Sequence, residues 1–163
     1  MKYLKILIPV ILLAFTLYYC STVPITGRSQ LHLISSSELN AMSFQQYNQF
    51  LSENKLSTDA NSTNMVKRIG SNIKGAVENY FAQHNLSKEL NGYAWEFNLI
   101  ESPEVNAWAM PGGKVVVYSG ILPITQNEDG LAVVMSHEIA HAVAQHGGER
   151  MSQGLLQQLG GMA

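Results

Sequence analysis

The 163-residue chain contains one cysteine, Cys20, so no disulfide can form within it. Charged residues are scarce, at 13%, and the ten lysines and arginines are scattered. With a formal net charge of -2 and no basic patch, nucleic acid is excluded as an expected partner. No internal repeat and no low-complexity segment is present. The apolar run Ile6–Tyr19 has fourteen residues, short of the ~20 that a membrane span needs. From Arg150 to Ala163 there is no Asp, Glu, His or Cys, so that stretch offers no strong metal ligand.

What is present begins with a targeting segment. Lys2 and Lys5 precede the apolar run, and residues 1–19 read as a signal peptide. A lone cysteine directly after such a run resembles the acylation site of a bacterial lipoprotein, with Leu17 at the expected apolar position. Tyr18 and Tyr19 depart from the small residues that such a cleavage site prefers. The expectation is lipidation at Cys20, anchoring the chain to a membrane of the bacterial periplasm; the alternative is a free cysteine ending an uncleaved anchor. Ser21 is compatible with outer-membrane sorting. Residues 20–35 contain Pro24 and Gly27 and read as an extended, lipidated tether, and residues 36–163 as the folded domain.

Ser35-x-x-Glu38 is a capping-box pattern, and the apolar spacing that follows predicts a helix over Ser36–Glu53. Met65, Val66, Ile69, Ile73, Val77, Tyr80 and Phe81 recur every three or four residues and predict a second helix over Ala60–Gln83. From Tyr93 the period changes to two. "YAWEFNLIES", "EVNAWAM" and "KVVVYSG" read as strands, and Pro111-Gly112-Gly113 supplies a turn with positive φ. Residues Glu104–Ser119 are therefore expected to form a β-hairpin. Asn127 or Asp129 can cap a helix running from Leu131 to Ala144, with a last helix or a continuation after it. The order predicts an α+β fold: N-terminal helices, a small, mostly antiparallel sheet, then a helix carrying the chemistry.

That chemistry lies in "HEIAH". His137 and His141 stand four apart, so on a helix their imidazoles face the same way and can share a metal at ~2.0–2.1 Å. Glu138 lies about 100° around the axis, at the rim of that face, where it can take a proton from water activated by zinc. From this composition a chance H-E-x-x-H is expected on the order of 0.01 times per chain. The alternative is a core helix whose histidines satisfy polar neighbours.

A third ligand is harder to find. If the helix continues, His146 lies about 900° from His137 and points to the opposite face. The metzincin pattern needs Gly and His where this chain has Ala144 and Gly147. Glu149, after two glycines, would have to fold back under strain. His32 and His84 read as ordinary surface residues.

"VNAWAMPGGKVVVYSGIL" and "HEIAHAVAQHGGERMS", preceded by "PITGRSQL", resemble the gluzincin metallopeptidases related to the CAAX prenyl protease and HtpX. The likeness extends to the branch of bacterial periplasmic lipoproteins (BepA and LoiP types) and the mitochondrial inner-membrane quality-control protease. It implies a zincin-like fold, with His137 and His141 as Zn2+ ligands and Glu138 as catalytic base. It also implies that Asn106, Ala107, Trp108 and Ala109 form a sheet edge that binds an extended substrate as an added strand. Trp108 can equally be a core residue. The third ligand of the family is a glutamate on a later helix, expected outside this chain, which would then be an N-terminal portion.

Two functions are expected from this. One is a zinc endopeptidase of the bacterial envelope that degrades unfolded or misassembled proteins. The other is a truncated, non-catalytic lipoprotein that binds such proteins through its edge strand. A weaker third is a metal-binding lipoprotein without hydrolysis.

Overall fold

A computed structural model describes residues 20–22, 27, 29–31 and 33–160. The expected signal peptide, residues 1–19, and His32 lie outside the described residues.

Helix α1 spans Ser36–Glu53. Ser35 Oγ accepts from the Glu38 amide at 3.3 Å, and the Glu38 carboxylate accepts from the Ser35 amide at 3.1 Å, so both halves of the capping box form. Helix α2 spans Ala60–Gln83, and the Asp59 side chain accepts from the amides of Asn61 and Ser62 at its start. Both helices occupy the ranges expected from periodicity. Gly70 lets α2 approach the sheet: a Cβ there would lie 2.3 Å from the Phe97 ring.

Two strands pair near the N-terminus, β1 (Cys20–Thr22) and β2 (Ser29–Leu31), antiparallel. Both strands fall within the segment expected as an extended tether, residues 20–35. The Leu33 amide, just after β2, donates to Ser152 Oγ at 3.1 Å and ties this stretch to the last helix.

The main sheet has β3 (Glu96–Ile100), β4 (Ala107–Met110) and β5 (Lys114–Tyr118) in the order β3-β5-β4. Strands β4 and β5 form the expected hairpin, with Ala107 opposite Val117 and Met110 opposite Lys114. Gly112 and Gly113 take φ of 79° and 84° in its turn. The expectation of a mostly antiparallel sheet is corrected: β3 pairs with β5 in parallel. The chain leaves β3 and crosses the end of β5 before descending as β4, which leaves β5 central. The crossing is tight. A Cβ on Gly120 would lie 2.3 Å from the Pro103 carbonyl oxygen, and the Gly120 amide donates to the Ser102 carbonyl at 2.9 Å.

Strand alternation sorts the core into two faces. Phe97, Leu99, Val115 and Val117 join Val66, Ile69 and Phe81 of α2, and Leu131, Met135, Ile139 and Val143 of the next long helix. Ile100, Val116 and Tyr118 join Tyr47 of α1 on the other face. After β5, the short helix α3 (Leu122–Thr125) leads to α4 (Glu128–Val143) and then α5 (His146–Gly160). No described helix is long and apolar enough to cross a membrane.

Candidate metal centre

Helix α4 is anchored at its N-terminal end. Asn127 caps it by accepting from the Gly130 amide at 2.9 Å, and Glu128 pairs with Arg68 of α2. Leu131, Met135, Ile139, Ala142 and Val143 form its buried stripe against the sheet. That stripe leaves Glu138 and His141 facing the cleft beside β4, with His137 exposed one turn before His141.

The two histidine rings converge. Nε2 of His137 and Nε2 of His141 are 3.1 Å apart, with the rings nearly perpendicular at 84°. Two nitrogens bound tetrahedrally to one zinc at ~2.0–2.1 Å sit about 3.3 Å apart. The pair therefore fits two positions of a shared divalent metal in both atom type and spacing. Glu138, His141, Trp108, Ala109, His146, Glu149 and Arg150 line an open cleft of about 700 Å³. Among the described residues, no group of three or more His, Cys, Asp or Glu is arranged to hold a metal ion.

His146 is not where helical continuation would put it. Helix α4 stops at Val143, with the Ala144 amide donating to the Ala140 carbonyl. Gln145 then takes φ of 58°, and α5 starts afresh at His146. The turn brings His146 back beside His141, Nδ1 to Nδ1 at 2.7 Å. The opposite-face expectation fails because the helix does not continue. His146 meets the nitrogen of His141 that faces away from His137. Glu149 does fold back into the same cleft. His84 stacks on Tyr80, far along the chain from this site, as a surface residue.

Strand β4 forms the cleft's upper wall. The Tyr118 amide donates to the Asn106 carbonyl at 3.1 Å, which makes that pair a hydrogen-bonded one. By antiparallel alternation, the backbone groups of Asn106, Trp108 and Met110 turn toward β5, and those of Ala107 and Ala109 turn outward. Trp108 lies at the end of the sheet face that α1 covers. Its ring meets Phe50 edge-on at 4.9 Å and Tyr47 at 6.2 Å, and its Nε1 donates to Tyr118 OH at 3.3 Å. Trp108 thus packs as a core residue while also bordering the cleft.

Below the site, Tyr93 OH donates to the Ala142 carbonyl at 3.4 Å. Burial, and secondarily the charge of Glu89, push the Tyr93 phenol up to about 12.

A histidine pair on one helix face, with an acid beside it under a sheet edge, is the arrangement that the family comparison bears on. Residues 67–162 match Peptidase family M48, and the chain belongs to that family. It is 52% identical over 58 residues to the mitochondrial metalloendopeptidase OMA1 of Schizosaccharomyces pombe, covering 36% of this chain and 17% of that protein. Its likeness to the mitochondrial metalloendopeptidase OMA1 of Bos taurus is 26% over 145 residues, covering 86% of this chain and 27% of the relative. The beta-barrel assembly-enhancing protease of Escherichia coli is 44% identical over 52 residues, covering 32% of this chain and 11% of that protein. The chain thus spans little more than a quarter, at most, of the length of these relatives.

Proposed function

We propose that this chain carries the core of a zinc endopeptidase site, with His137 and His141 as ligands and Glu138 as proton carrier. The observation behind it is the convergence of the two Nε2 atoms at 3.1 Å, with Glu138 lining the same cleft. When bound, zinc supplies Lewis acidity and lowers the pKa of water. Two histidines fill two positions, and a zinc site of this kind takes at least one more protein donor. Glu138 accepts the proton of the attacking water on a carboxylate oxygen and passes it to the departing amine. Ala107 and Ala109 hold an extended substrate through their outward N–H and C=O groups, so recognition reads backbone more than side chains.

The substrates in this reading are unfolded or misassembled proteins of a bacterial envelope, and the chain is lipid-anchored through Cys20. The lone cysteine after the apolar run supports the anchor. The Escherichia coli relative is by name a protease that enhances beta-barrel assembly, which supports the envelope. Relatives named as mitochondrial support the peptidase reading and not the compartment.

The test compares cleavage of unfolded casein by the full-length protein and by Glu138→Gln, alongside zinc stoichiometry. The expected result is zinc binding by both and a fall in kcat of at least about 100-fold for the variant, the scale of a lost general base. Equal cleavage by the variant would sink the mechanism. A second reading rests on the open edge of β4: peptide binding without hydrolysis. It requires binding that survives EDTA.

A further inference from the structure

The sharp turn at Gln145 has a chemical result that helix periodicity conceals. It places His146 Nδ1 at 2.7 Å from His141 Nδ1, on the side of the His141 ring away from His137. A hydrogen bond between two imidazole nitrogens needs one donor and one acceptor, and a neutral imidazole carries a single proton. If His141 donates through Nδ1, its Nε2 is left with a bare lone pair. Nε2 is the atom that lies 3.1 Å from His137 Nε2. In water, free histidine favours the opposite tautomer, with the proton on Nε2, where it would block a metal. An acceptor at Nδ1 reverses that preference.

We infer that His146 is a positioning residue whose Nδ1 accepts the Nδ1 proton of His141, fixing the tautomer and ring angle that present His141 Nε2 to a metal. The inference rests on the proposed ligand role of His141. Groups that hold the far nitrogen of a ligating histidine typically matter 10–100-fold to metal affinity. His146 has the geometry for that role because Gln145 takes a left-handed conformation, with its amide donating to the Ala142 carbonyl at 3.1 Å. The Glu149 amide donates back to the Gln145 carbonyl at 3.2 Å and closes the first turn of α5 behind it.

The experiment uses the full chain in detergent, metal-free and with zinc, and two variants. His146→Asn keeps an acceptor atom near the Nδ1 position; His146→Leu removes it at similar bulk. Long-range nitrogen–proton NMR of the imidazoles reads the tautomer without any metal. His141 is expected to carry its proton on Nδ1 in the wild type and in His146→Asn, and to shift toward Nε2 in His146→Leu. Zinc titration is expected to show a loss of about 10–100-fold for His146→Leu and recovery of most of it in His146→Asn. An Nε2–H tautomer of His141 in the wild type overturns the inference, as does a His146→Leu variant that keeps wild-type tautomer and zinc affinity. If the wild type and His137→Ala bind zinc equally, the metal reading of the pair fails instead. The tautomer result in metal-free protein still decides the role of His146.

Discussion

The two edges of the main sheet are treated in opposite ways. The β3 edge is closed by the linker between α1 and α2. The Ser57 amide donates to the Leu99 carbonyl at 2.8 Å, the Glu101 amide donates to the Lys55 carbonyl at 2.8 Å, and Leu56 bridges to Ile100. The β4 edge has no further strand beside it among the described residues. An uncovered strand edge invites pairing by other chains, and folded proteins generally blunt such edges. Here the covered edge is remote from the histidines, and the uncovered one borders the cleft that Glu138 and His141 line. One edge completes the fold; the other is the edge that the proposed function gives to an extended peptide.

Matched proline substitutions are the most direct way to break this comparison. Ser57→Pro removes a donor from the closed edge and leaves the buried Leu99 carbonyl without it. The expected cost is roughly 1–3 kcal/mol of stability, read as a shift in the denaturant midpoint. Ala109→Pro removes an N–H that faces outward, so the β4–β5 ladder stays intact. It should weaken binding of an extended peptide about tenfold, the worth of one hydrogen bond, with a smaller loss of stability. If Ala109→Pro unfolds the protein while Ser57→Pro is silent, the assignment of the edges is reversed.

A third effect appears only in alkali and sharpens the seam between the sheet and α4. Tyr93, just before β3, keeps its proton up to about 12, while an unfolded tyrosine releases it near 10. The native state therefore holds more protons than the unfolded chain in that window. Stability from Tyr93 is complete below pH 10 and is lost as pH climbs toward 12, at about 1.4 kcal/mol per pH unit. Burial also raises Tyr47, on the opposite sheet face, in the same direction. Denaturation midpoints across that range should fall less steeply in Tyr93→Phe than in the wild type; an unchanged slope would remove Tyr93 from the account.

Local signals carried much of this architecture in the sequence. The Ser35/Glu38 box and the polar break before Ala60 marked where α1 and α2 begin, and Pro111-Gly112-Gly113 marked the hairpin. The spacing of His137 and His141 was legible because both lie on one uninterrupted helix. Pairing partners were not legible. Nothing within "YAWEFNLIES" states that it will lie parallel to β5, because that depends on the loop passing over Gly120. The position of His146 was hidden for a different reason. Gly147-Gly148 looks like the break in the helix, yet the left-handed residue is Gln145. The glycines lie inside α5, where Gly148 is buried and a Cβ on it would come within 3.0 Å of Leu39. Trp108 was ambiguous because an aromatic on an edge strand suits both core and ligand, and only its contacts with Phe50 and Tyr47 place it under α1.

The Pro111-Gly112-Gly113 turn also sets a parity. Phe44 crowds Gly112 and Trp95 crowds Gly113, so neither position has room for a larger residue. A strand's side chains and its hydrogen-bonding groups both alternate with a period of two. A slip of one residue in β4 would exchange both sets together. Trp108 would swing from beneath α1 onto the face occupied by the histidine helix, and the groups of Ala107 and Ala109 that now face outward would be spent on β5. The count of residues in this turn therefore decides, as a single odd-or-even choice, whether the cleft is open and whether its edge has anything to offer a peptide.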